Sequence, residues 1–309
     1  AQRDAEIFDQ YALGTLDALE QQTAPVDLVV WPESMFGGGS FVALAPPGAG
    51  LPDAFPGTLD DLRSDVAMRN QFVRDRAQSL QRAAAPRNAG KRPAWWGGMG
   101  VVKYAEQPRQ YSATVVLDSG GSFLGWYGKR YRVMFGEYIP FIQSIPIIKQ
   151  WVPPELGLSA GYRAEPFQIA GRALLPNICI ETAVERIAVN DVGRLLNQGQ
   201  PVDAVITIAN DDWFDGTAVV DHHRRCAQLL AVAIRRPILS SANGGPTFCV
   251  DDHGRIGGLL GRGEQGGLVA PVTAASKTSL YVRTGTVPHT ILTLATLAMA
   301  LRPRRRKVA

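Results

Sequence analysis

Cysteine is scarce in this chain. Among 309 residues there are three, Cys179, Cys226 and Cys249, with no CxxC pair and no histidine at ligand spacing, so a disulfide framework and a structural zinc site are excluded. No unit of 20–50 residues repeats, and the chain is not a solenoid. Charge is sparse too, at 19%, while the 46% hydrophobic content excludes intrinsic disorder and suits an α/β unit with a substantial core. The formal charge of +4 does not make a nucleic-acid binder. Arg302, Arg304, Arg305, Arg306 and Lys307 carry the whole excess, and the 27 basic residues before them face 28 acidic ones. A basic tail placed directly after an apolar stretch reads as a membrane-flanking cluster. Neither an initiator Met nor a signal peptide precedes it at the amino end, so the compartment is not legible there.

What is present is a mixture of strands and helices. Residues 4–21 place apolar side chains at Ile7, Phe8, Tyr11, Ala12, Leu16 and Leu19, close to the helical period. A β-rich run at 26–31 is stopped by Pro32, which puts Glu33 just past a strand's carboxyl end. Residues 36–58, rich in Gly and Pro, read as a long functional loop. A helix over 59–85 and a hairpin over 111–127 follow, with Lys129 at the hairpin's exit. Further strands are expected at 173–180, 204–209, 237–241 and 247–250, and a helix at 221–235 capped by Asp221. Elements in this order indicate a layered α/β fold. Residues 284–301 carry no formal charge and would reach about 27 Å as a helix, enough for a short transmembrane segment at 287–301 flanked by the basic tail 302–309.

A lone strand cysteine usually packs as a small hydrophobe. Cys179 differs because it ends a strand, with Glu181 just beyond it, and because Glu33 and Lys129 also sit at strand exits, which converge on one edge of a sheet. An acyl-transferring thiol needs a base for its proton and a cation or N–H groups for the oxyanion, and Glu33 and Lys129 supply those groups. Competing motifs are weaker. Gly157, Ser159 and Gly161 fit G-x-S-x-G but lack the flanking strand and helix of a nucleophile elbow. His222 and His223 are adjacent, cannot share one metal from a helix, and read as surface residues. Cys226 and Cys249 read as core residues.

With these residues in place the chain resembles the nitrilase superfamily, and within it the apolipoprotein N-acyltransferase family. The likeness is carried by Trp31-Pro32-Glu33-Ser34, by Phe135-Gly136-Glu137-Tyr138-Ile139-Pro140 after Lys129, by Ile178-Cys179-Ile180-Glu181, by Asn210-Asp211-Asp212-Trp213-Phe214 and by Tyr281-Val282-Arg283-Thr284-Gly285. It implies a four-layer α-β-β-α sandwich over residues 1–286, opened in the family by a strand and membrane helices that this sequence does not include. Carried over by position, Glu33 is the general base, Lys129 the oxyanion-stabilising cation, Cys179 the nucleophile and Glu137 a supporting carboxylate. The backbone N–H of Ile180 completes the oxyanion site, and Glu181 orients the loop. Gly128, Ile180 and Ala233 stand where the family usually has Asp, an aromatic residue and Glu.

The resemblance implies transfer of a fatty acyl chain from a phospholipid, through a thioester on Cys179, to the amino-terminal amine of a diacylglyceryl-cysteine apolipoprotein. It further implies a monomer at the bacterial inner membrane, with a periplasmic catalytic domain and a cytoplasmic tail, and neither metal nor organic cofactor. The apolar run containing Ile147, Ile148 and Trp151 is expected to contact lipid. A soluble carbon–nitrogen hydrolase and an inactive lipoprotein-binding scaffold are the alternative readings.

Overall fold

A computed structural model describes residues 2–46, 49–52, 55–105, 107–139, 157–214, 216–275 and 277–301. In its first half come α1 (Gln2–Glu20), β1 (Leu28–Val30), β2 (Phe41–Leu44), α2 (Leu59–Ala84), β3 (Ala94–Lys103), β4 (Arg109–Leu117) and β5 (Phe123–Gly128). In its second come β6 (Phe167–Ile169), β7 (Arg172–Ile178), α3 (Arg186–Asn197), β8 (Ala204–Asn210), α4 (Val219–Ile234), β9 (Ile238–Asn243), β10 (Thr247–Val250), β11 (Ile256–Leu260), α5 (Leu280–Thr284) and α6 (Val287–Ala300).

Each half builds one sheet. In the first, β1 and β2 lie end to end along one side of β3, both parallel to it, and β4 and β5 continue antiparallel on the other side. The second runs β11-β10-β9-β8-β7-β6, parallel through β7, β8 and β9 and antiparallel at both margins. Successive strand residues face opposite ways, and two neighbouring tryptophans in β3 show the result. Trp95 packs with Phe8 of α1 and Val73, Ala77 and Leu80 of α2. Trp96 packs instead with Phe167, Leu174, Ile178 and Ile206 of the second sheet, whose other face takes up Val192 and Leu195 of α3 and Leu230 and Ile234 of α4. The layers are therefore helix, sheet, sheet, helix, a mixed α/β fold. Both parallel strands β7 and β8 are buried nearly throughout, as a sheet covered on both faces requires.

Local chemistry fixes the helices that flank this core. Thr58 caps α2, with Thr58 Oγ1 accepting from the Asp61 N–H while the Asp61 carboxylate accepts from the Thr58 N–H, a reciprocal capping box. The N-cap of α4 is Ala218 rather than Asp221, which lies in the first turn, where a carboxylate still complements the helix dipole. The stretch 36–58 is not all loop, since β2 lies within it. Strands β3, β6 and β11 and helix α3 have no counterpart among the expected elements. At the carboxyl end α6 has 14 residues, about 21 Å of helix against the ~30 Å bilayer core. Among the described residues no helix is long and apolar enough to cross a membrane, which corrects the expectation of a span at 287–301. Residues 140–156, with Ile147, Ile148 and Trp151, and the tail 302–309 lie outside the described residues.

Candidate active site

The turn that follows β1 carries Glu33. Backbone bonds from Trp31 N to Trp96 O (2.8 Å) and from Phe36 N to Gly98 O (3.0 Å) hold this turn against β3. Gly98 makes the approach possible, because a Cβ there would lie 2.5 Å from the Glu33 Cα and the Pro32 carbonyl oxygen. Glu33 is thereby buried, and its Oε1 accepts from Ser112 Oγ of β4 at 2.9 Å and from Lys129 Nζ at 3.1 Å.

Lys129 follows β5 directly, and its N–H donates to Ser112 O at 2.8 Å. Its ammonium also donates to Glu137 Oε1 at 2.8 Å, while Glu137 Oε2 accepts from the Val133 N–H at 2.7 Å. One ammonium thus lies between two buried carboxylates. Burial opposes its charge, but Glu33, Cys179 and Glu137 together hold its pKa above that of an ordinary lysine.

Cys179 is the first residue after β7 and opens a 3-10 turn over Cys179–Ala183. Its φ of +51° lies in the left-handed region, which costs a residue with a side chain about 1–2 kcal/mol. The thiol is buried, where the charges of Glu33 and Lys129 and the backbone N–H of Ile180 act on it. Burial and the negative charge of Glu33 push its pKa up, against the opposing pull of Lys129 and that N–H, so the resting group is a neutral thiol.

Glu181 ties the two halves of the site together. Its carboxylate accepts from the Ile178 N–H at 2.9 Å, from the Arg130 and Tyr131 N–H groups at 2.6 and 3.1 Å, and from the Tyr127 hydroxyl at 2.9 Å. A fully buried acid on the second sheet therefore holds the Lys129 loop of the first. Burial still pushes its pKa above the usual carboxylate range.

Similarity to known proteins extends over the whole chain. It is 44% identical over 310 residues to an apolipoprotein N-acyltransferase of Rhodopirellula baltica, covering 96% of this chain and 54% of that protein. The chain is a homologue of the apolipoprotein N-acyltransferases. Acyltransferases of this name from Azotobacter vinelandii and Caulobacter vibrioides are each 27% identical, over 98% and 100% of the chain and 51% and 52% of their own lengths. The chain spans about half the length of these curated acyltransferase relatives. No family model matches it. Among solved structures, an amidase from Nesterenkonia sp. superposes with a TM-score of 0.56 at 14% identity, covering 94% of this chain and 90% of the amidase. A second form of that amidase, 13% identical with a TM-score of 0.55 and 94% of each chain covered, carries acrylamide added to its active-site cysteine. These likenesses show a shared nitrilase-type fold.

Of the residues that the acyltransferase resemblance singled out, Glu33, Lys129, Glu137, Cys179, Ile180 and Glu181 come together in one buried cluster. His223 corrects a reading. It is not a surface residue: its side chain is 12% exposed, with Nδ1 3.0 Å from Asp211 Oδ1 and Nε2 2.8 Å from the Cys179 carbonyl oxygen. The signal missed in the sequence was its spacing along α4, which turns His223 inward while His222 faces out. Cys226 and Cys249 are free and half-buried rather than core residues. Asn210 holds the end of β8 to β9 by accepting from Asn243 Nδ2 at 3.0 Å, and Asn243 in turn accepts from the Tyr11 hydroxyl at 2.8 Å. Among the described residues no group of three or more His, Cys, Asp or Glu side chains is placed to hold a metal ion.

Proposed function

We propose that the chain transfers a fatty acyl group from a phospholipid to the amino-terminal amine of a diacylglyceryl-cysteine apolipoprotein, by way of a thioester on Cys179. The observation that carries this reading is the Glu33–Lys129–Glu137 network beside a thiol on a strained elbow, in a homologue of the acyltransferases. Glu33 takes the thiol proton as the sulfur attacks the ester carbonyl. Lys129 Nζ and the Ile180 N–H stabilise the oxyanion, and the lysophospholipid leaves with the proton. The lipoprotein amine then attacks the thioester, Glu33 accepts a proton from the amine, and the thiol is released. Glu137 holds Lys129 in place. This sequence uses neither metal nor organic cofactor.

The rim of the site favours a lipid donor over a small amide. Met134, Phe135 and Trp213 are 52%, 69% and 65% exposed, and Gly136 lies against the Trp213 ring, so an apolar lip stands beside the catalytic cluster. The protein acts at the bacterial inner membrane as a monomer, with residues 1–286 forming the periplasmic catalytic domain and the apolar helix at 287–301 its membrane attachment.

The test is mass spectrometry of the full chain incubated with phospholipid. An acyl adduct is expected on Cys179, absent from Cys179→Ser and retained in Cys226→Ser and Cys249→Ser. An adduct that survives Cys179→Ser overturns the mechanism. Turnover of small amides without transfer from phospholipid would instead establish the soluble hydrolase reading.

A further inference from the structure

The contacts of His223 have a chemical consequence beyond packing. One ring nitrogen faces a carboxylate oxygen of Asp211 and the other a peptide carbonyl oxygen, that of Cys179. An ionised carboxylate and a carbonyl only accept hydrogen bonds. A neutral imidazole has a single N–H, so it can satisfy one of these partners and must set a lone pair against the other. An imidazolium donates to both. We infer that His223 is a positioning residue held as an imidazolium between Asp211 and the Cys179 carbonyl, where it fixes the elbow and places a second positive charge beneath the nucleophile.

The inference rests on the thiol mechanism proposed above and adds a cation to it. Three elements pack titratable groups around this ring: Asp211 from the 3-10 turn after β8, Cys179 from the elbow after β7, and Glu33 from the turn after β1. Burial works against the charged ring, but the Asp211 bond and charge, the Cys179 carbonyl and Glu33 together raise its pKa above the ordinary histidine value. Two demands are met by one residue. The left-handed Cys179 backbone is anchored through its own carbonyl, and the negative charge that develops on sulfur or on the oxyanion gains a second fixed positive partner besides Lys129. Asp211 is required because it holds the proton on Nδ1, as the carboxylate of a hydrolase triad does.

Asp211→Asn separates charge from geometry. The asparagine amide donates to Nδ1, Nε2–H still donates to the Cys179 carbonyl, and a neutral ring then satisfies both contacts. The chain has four histidines, so selective 15N labelling of the full chain resolves them, with His223→Gln as the assignment control. At pH 7.5 both His223 ring nitrogens are expected to be protonated in the native protein and one of them in Asp211→Asn. A neutral His223 ring in the native protein overturns the inference. Alkylation of Cys179 by acrylamide, followed by mass spectrometry across pH, gives the functional readout. His223→Gln is expected to slow it about tenfold at neutral pH and to move its profile about one unit upward, and Asp211→Asn, which removes the Asp211 charge along with that of the ring, to move it less. Unchanged profiles in both variants reduce His223 to packing and also overturn it. The two readings fail separately: Cys179 that alkylates as expected but takes no acyl group from phospholipid removes the acyltransferase assignment and leaves the role of His223 intact.

Discussion

Net charge decides which protonation states the site tolerates. Glu33, Glu137, Asp211 and Glu181 bring four carboxylates against the two positive charges of Lys129 and a protonated His223, so a resting thiolate would add to a buried excess of negative charge. Keeping Cys179 neutral and moving its proton to Glu33 only as the acyl carbonyl arrives leaves that charge unchanged, consistent with a thiol pKa pushed up by burial and by Glu33. The same reasoning gives a stability prediction. His223 has a folded-state pKa raised above its unfolded value near 6.5. Its charge therefore contributes stability in full below about pH 6.5, and this contribution is lost as pH rises through the raised folded value. Thermal melts of native protein and His223→Gln should differ most at pH 5.5–6.5 and draw together at higher pH. A difference that widens as pH rises would contradict the charged ring.

At the scale of elements, the site depends on how closely a turn can lie against a strand. Gly98 sits in β3 under the Glu33 turn, and a methyl group there meets backbone at 2.5 Å, which no side-chain rotation relieves. Gly98→Ala is expected to cost about 1–3 kcal/mol as an overpacked site and to lower acyl transfer far more than Gly100→Ala, whose Cβ would meet only Phe41 Cβ at 3.6 Å. Denaturation midpoints and turnover measured on both variants check this. These glycines also explain what the sequence concealed. Gly97, Gly98 and Gly100 interrupt the apolar pattern of β3, so a strand central to the first sheet carried little strand signal, and the four-residue β2 was hidden between Gly39 and Pro46. By contrast α2, with a capping box and a long apolar period, and the β4–β5 hairpin, with its Asp118–Gly121 turn, were legible. Glu33, Lys129 and Cys179 were legible because strand ends advertise themselves through the residues that stop them. His223 was not, because its partners are 12 and 44 residues away. The last helix was legible in place but not in reach. Ile291, Leu292, Leu294 and Leu297 of α6 are all more than half exposed, a surface that calls for lipid cover. Leu294→Glu with Leu297→Glu is expected to weaken sedimentation of the full chain with phospholipid vesicles while leaving the melting temperature within a few degrees. Undiminished sedimentation would take α6 out of membrane attachment.

Across the whole molecule, neither sheet contains the site by itself. Glu33, Lys129 and Glu137 belong to the first half, Cys179, Asp211 and His223 to the second, and the halves meet through buried contacts. The Tyr127 hydroxyl reaches Glu181, Ser241 Oγ donates to Val30 O at 3.1 Å, and the rings of Trp96 and Phe167 meet edge to face with centroids 5.2 Å apart. Catalytic geometry should therefore depend on the packing between sheets rather than on either sheet's internal ladder. Trp96 tests this dependence because its side chain is fully buried at that interface, and a substitution there leaves in place the backbone carbonyl that holds the Glu33 turn. Trp96→Ala removes a large side chain from a close-packed layer and is expected to cost about 3–5 kcal/mol. In urea, Cys179 alkylation and tryptophan fluorescence should be lost in one transition, shifted to lower denaturant in Trp96→Ala with an unchanged slope. If alkylation instead disappears well before the fluorescence change in the native protein, the sheets separate before either unfolds, and the site belongs to a docking equilibrium between two independently stable halves rather than to one cooperative core.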